Sequence, residues 1–198
     1  MSFYTSNKGT FTYTITNNTS YVVDSSDNDI IQSAFDRWDE IITIDSRFGD
    51  DYTINISFNI DVLDIGVLGG ASIQMIAYID YVTFSNTLPY TGDITLNASY
   101  LTNMKNTIRS DGKSSYYYVM LHEIGHILGI GSFWYLDGTP KTSYIDNGTT
   151  KYYYTGINAL REYNNYFLTA GNEPFVGIPI EDNGGGGTAG VHPEEGDE

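Results

Sequence analysis

Apolar and polar positions along the chain switch between two rhythms. Residues 11–16 alternate Phe, Tyr and Ile with Thr, which predicts a short strand. Residues 52–60 alternate more fully. Ile54, Ile56, Phe58 and Ile60 fall on one side, and Thr53, Asn55, Ser57 and Asn59 on the other. A strand with one covered face and one wet face has this pattern. Residues 72–80 and 93–99 read as two further strands, and 47–51, the Gly-rich 66–71 and 88–92 as turns.

The helical rhythm takes over in two places in this half. Ile30, Ile31, Ala34, Phe35, Trp38, Ile41 and Ile42 recur at helical spacing after the run DSSDND, which is rich in N-capping residues. This predicts a helix over 28–43 whose apolar face, Trp38 included, packs on a sheet. A second helix is predicted over 115–128, with a cap supplied by 111–115. At about 100° per residue, Met120, Leu121, Ile124, Ile127 and Leu128 share one arc, and His122 and His126 fall opposite. Gly125 inside it implies a close helix–sheet contact. Gly129 and Gly131 stand where the pattern stops, so a left-handed turn should end the helix there.

Beyond residue 134 the rhythm weakens. Residues 137–154 read as loops or a short hairpin, 155–168 as a helix carrying Ile157, Leu160, Tyr163, Phe167 and Leu168, and 174–180 as a short extended piece. The glycine-rich 182–190 reads by itself as a linker, and His192 beyond it as a surface histidine.

Composition narrows the classes. The chain has 198 residues, enough for one domain with a sizeable core, and 40% of them are hydrophobic. No apolar run reaches the roughly 18 residues of a membrane-spanning helix. Nine basic residues against 25 acidic ones give a net charge of -16. Nucleic acids and anionic membrane surfaces call for the opposite sign, so the balance argues against both as partners. No loop has the spacing of a calcium-binding hand. There is no cysteine, so a bound zinc must be held by nitrogen and oxygen ligands.

The chemistry concentrates in His122-Glu123-Ile124-Gly125-His126, which uses two of the three histidines in the chain. Residues four apart on a helix share a face, so both imidazoles can reach one metal ion. Glu123 stands beside that face, where a carboxylate can take a proton from an activated water.

With Ile127, Leu128 and Gly129 the stretch is similar to the first part of the metzincin zinc-peptidase signature, HExxHxxGxxH. The simple form of that signature has histidine where this chain has Ser132. The leishmanolysin-like branch, in which an insertion precedes a third histidine after a GGxGTxGxH-like run, is matched better: residues 184–192 read GGGGTAGVH. The segments HEIGHILGIGSFW, YTGINALREYN and VGIPIEDNGG resemble that branch too. Residues 66–80 also resemble the cleft-lining edge strand of metzincins.

The resemblance implies an α+β fold. A mixed, twisted sheet of about four to five strands and two main helices would form an N-lobe over 1–129. An irregular C-lobe with one helix would span 130–198, and an active-site cleft would lie between the lobes. It implies one catalytic Zn2+ held by His122, His126 and His192, with Glu123 as general base, in a monomeric endopeptidase of proteins or peptides at the cell surface or outside the cell. Metzincins also carry a methionine turn after the third histidine. Here only residues 193–198 follow His192, and Met1, Met75, Met104 and Met120 all lie upstream. The chain is therefore read as a single two-lobed catalytic domain truncated before that turn. The alternative is a weakly active or inactive metzincin-like module that binds proteins or peptides as part of a larger surface or secreted protein.

Overall fold

The computed structural model describes residues 3–5, 9–78, 87–131, 133, 142–146, 149–168, 173–181, 190 and 192. The chain divides into two compact units, Met1–Gly129 and Ile130–Glu198.

The first unit is built on a five-stranded sheet. Its strands are β1 (Phe3–Thr5), β2 (Phe11–Asn17), β3 (Ile54–Asp61), β4 (Gly69–Tyr78) and β5 (Thr87–Asn97), in the order β1-β2-β3-β5-β4. β2, β3 and β5 are parallel, while β1 and β4 run antiparallel at the two edges. A parallel pair needs a long crossover. Helix α1 (Ser25–Ile41) supplies it between β2 and β3. Helices α2 (Ala98–Asn106) and α3 (Ser115–Ile127) follow β5.

The period-two pattern becomes two faces because the strands pair in register. Tyr13 lies beside Ile56, Phe58 between Ile15 and Ile94, and Ile60 beside Leu96. These residues are buried, and they form one core with Ile31 and Phe35 of α1, Leu101 of α2 and Met120 and Ile124 of α3. Phe35 stacks on Tyr13 at 5.3 Å between ring centroids. The opposite face carries Thr12, Asn55 and Thr91 in one row and Thr14, Ser57 and Asp93 in the next. The Trp38 indole packs against the core and donates to the Leu121 carbonyl at 3.0 Å, tying α1 to α3.

Several boundaries differ from expectation. Helix α1 starts at Ser25 because Asp24 wins among the competing caps: it accepts from the Asp27 amide, and the Asp27 side chain accepts from the Asp24 amide in return. β4 starts within the glycine-rich stretch, at Gly69, where pairing with β5 supplies what side chains do not. Residues 88–92 are strand, not turn. Pro89 is tolerated because β3 pairs with β5 only from Thr91 onward, and β4 is irregular between Met75 and Ile76. The strand expected through residue 99 stops at Asn97, whose buried side chain caps α2 by accepting from the Ser99 amide at 3.1 Å. Helix α2 was not expected. Asn97 as a cap, with Leu101 and Met104 three apart on one face, is the signal that marks it.

In the second unit, β6 (Thr142–Asp146) and β7 (Thr149–Tyr154) form the hairpin, and β8 (Ile178–Ile180) adds to β7 in a three-stranded antiparallel sheet. Helix α4 (Ile157–Phe167) lies between β7 and β8 in sequence. The linker expected over 182–190 falls, apart from Gly190, outside the described residues, as does Ser132. Among the described residues no helix is long and apolar enough to cross a membrane.

Candidate metal centre

Helix α3 carries most of the chemistry. Ser114 caps it, accepting from the Tyr117 amide at 3.2 Å. Tyr116, Met120, Ile124 and Ile127 anchor its apolar side. Its approach to the sheet depends on Gly92 of β5: a Cβ there would stand 2.5 Å from Ile127 Cδ1. Helix α3 ends as expected. Leu128 is the C-cap, and Gly129 follows at φ +96°, a conformation that L side chains rarely adopt.

His122 and His126 face away from the core. Their rings meet edge to face with centroids 4.6 Å apart, and their Nε2 atoms are 3.0 Å apart. His122 and His126 thus present two imidazole nitrogens to one metal ion, and His192, the third histidine of the chain, stands in the second unit. Tetrahedral zinc with three imidazoles sets its nitrogen ligands about 3.4 Å apart, and the donor set suits it.

Glu123 lies between the two helical histidines in sequence but turns inward, with 5% of its surface exposed. Burial pushes its carboxyl up to about 7. A dication beside it acts in the opposite direction. Gly69, the first residue of edge strand β4, abuts this carboxylate: a Cβ on Gly69 would stand 3.3 Å from Glu123 Oε1. The β4 edge of the sheet, unpaired among the described strands, thus begins next to Glu123.

His192 is fixed within its own unit by Glu181. The Glu181 amide donates to the His192 carbonyl at 3.0 Å, Gly190 donates to the Glu181 carbonyl at 2.8 Å, and Glu181 Oε2 faces His192 Nδ1 at 3.8 Å. Sequence reasoning missed Glu181. It lies eleven residues before the histidine, and nothing in its neighbourhood sets it apart from the other acidic residues.

No curated protein matches the chain. The family model for matrixin does, over residues 4–133. That span covers the five-stranded sheet, its helices and the His122-to-His126 motif, though not His192. An edge-bounded mixed sheet and a helix that bears two histidines and ends on glycine are metzincin-type features, and on the family match the chain belongs to the matrixin family.

Proposed function

We propose that the chain is a zinc-dependent endopeptidase in which His122, His126 and His192 hold one Zn2+ and Glu123 is the general base. The observation that carries this is a buried carboxylate set in sequence between two metal-competent histidines and beside the β4 edge of the described sheet. A bound zinc supplies Lewis acidity, which brings a water within reach of deprotonation near neutral pH and stabilises negative charge on the scissile carbonyl. Glu123 accepts the proton from the attacking water and delivers it to the leaving amine. Its low exposure keeps competing solvent away from that transfer. Glu181 flanks the Nδ1 side of His192, so Nε2 would be the donor to the metal, a common arrangement for ligating histidines. The remote position of the third histidine and the run that precedes it favour a leishmanolysin-like lineage. The extracellular or cell-surface setting rests on that resemblance and is tested by fractionation of the expressing cells.

The deciding experiment measures zinc content and cleavage of unfolded casein by the purified chain and by Glu123→Gln. Expected are one zinc per chain in both and a loss of about 10²- to 10⁴-fold in cleavage rate in the variant. A chain without stoichiometric zinc would sink the proposal. Zinc with no cleavage by either protein would favour the peptide-binding module instead.

A further inference from the structure

The connection from β3 to β4, residues 62–68, combines two properties that seldom occur together. It is apolar and open to solvent: Val62 is 67% exposed, Ile65 97%, and Val67 and Leu68 41% each. Aliphatic groups presented to water in so short a stretch mark a contact surface. The loop is also held firmly from beneath by polar ties. The Asn97 side chain, wholly buried, donates through Nδ2 to the carbonyls of Val67 at 2.8 Å, Leu63 at 3.2 Å and Asp64 at 3.3 Å. The Asn97 amide donates to the Leu68 carbonyl at 3.0 Å, and the Gly66 amide donates to the Tyr100 hydroxyl at 3.0 Å.

A loop built this way spends polar groups on its underside to keep aliphatic ones outside. Its position indicates what they meet. The loop runs without a break into Gly69, where the β4 edge of the sheet begins beside Glu123. The Leu68 end of the loop stands at the start of that edge, where a polypeptide laid along β4 and continuing past its start meets it.

We propose that this loop is a substrate-docking surface that takes apolar side chains of an extended polypeptide at a distance from the cleaved bond, with Asn97 as its positioning residue. The inference rests on the endopeptidase reading for the direction of the chain it receives. Val62 and Ile65 supply contact area, and Asn97 keeps them presented.

The test uses the full chain loaded with zinc and carrying Glu123→Gln, so that binding is read without cleavage. The probe is fluorescently labelled, unfolded casein. Adding Val62→Ser and Ile65→Ser together is expected to weaken binding about five- to tenfold, as loss of partly buried aliphatic area should. Both positions are exposed, so the melting temperature should stay unchanged. Asn97→Asp keeps the cap of α2 but sets a carboxylate against three carbonyls; it should weaken binding similarly with the aliphatic residues intact. Unchanged casein binding in the serine variant overturns the proposal. So does loss of binding to neutral phosphatidylcholine vesicles in that variant while casein binding holds, which would make the loop a membrane contact. The two readings fail separately. A chain that cleaves but binds casein independently of the loop loses only this inference. A chain that binds through the loop but never cleaves loses only the endopeptidase reading.

Discussion

Glu123 shows how far one residue's environment departs from its place in a motif. Helical spacing sets it beside His122 and His126, but its burial comes from the opposing strand, where Gly69 leaves room for the carboxylate. Gly92 does the same for the helix as a whole. A methyl group there would stand 2.5 Å from Ile127 Cδ1 and 3.1 Å from the Ser72 carbonyl, and neither a core side chain nor a paired strand yields easily. Gly92→Ala should therefore destabilise the chain by about 1–3 kcal/mol, as overpacking typically does, seen as a lower urea midpoint. Gly70→Ala is the control: a Cβ there meets nothing within 4 Å, so the midpoint should hardly move. Neither glycine is distinguishable by sequence from the others in the chain, because what makes each necessary is an atom on a different element.

Among the elements, α1 shows the clearest local logic. Asp24 and Asp27 form a reciprocal cap, and Lys105 from α2 reaches both, at 2.7 Å and 3.2 Å. Tyr21 also donates to Asp27 at 2.7 Å. The Lys105 ammonium, and then the Asp27 amide, hold the Asp24 carboxyl below its ordinary value of 3.8. A carboxyl depressed by folding adds stability that is complete above its unfolded value and is lost as pH falls through its folded value. Asp24→Asn keeps an acceptor for the Asp27 amide but loses the ion pair. Its urea midpoint should lie below that of the parent chain near neutral pH, and the gap should close as the pH falls below 3.8. Because Asp24 is largely exposed, salt should narrow the gap as well. A gap that persisted in acid would show that the ion pair is not its source. The strands β2 and β3 and the helices α1, α3 and α4 were legible because each carries its own period. The lower part of β5 was not: Leu88, Pro89 and Tyr90 have the composition of a turn, and that stretch is strand because it pairs with β4.

At the scale of the whole molecule, metal and fold should be linked. Zinc held by the native histidines and not by the unfolded chain stabilises by mass action, about 4 kcal/mol at a thousandfold excess over Kd. A chelator should lower the melting temperature of the zinc-loaded chain and leave that of His122→Ala/His126→Ala unchanged. His192→Ala should weaken zinc binding while retaining the first unit's fold; unchanged zinc affinity in that variant would remove His192 from the ligand set. The sequence by itself determined the existence of the metal-binding helix, its two histidines and carboxylate, its glycine stop, and the inward and outward faces of the central strands. All of these follow from spacing within one element, where backbone geometry sets which side chains are neighbours. Only the tertiary structure decided that β5 lies between β3 and β4, leaving β4 as the edge strand beside Glu123. The same holds for Asn97, which secures an apolar loop from below, and for Glu181, which flanks His192. Those relations join residues far apart in the chain, and they arise from strand pairing and packing, which no local periodicity encodes.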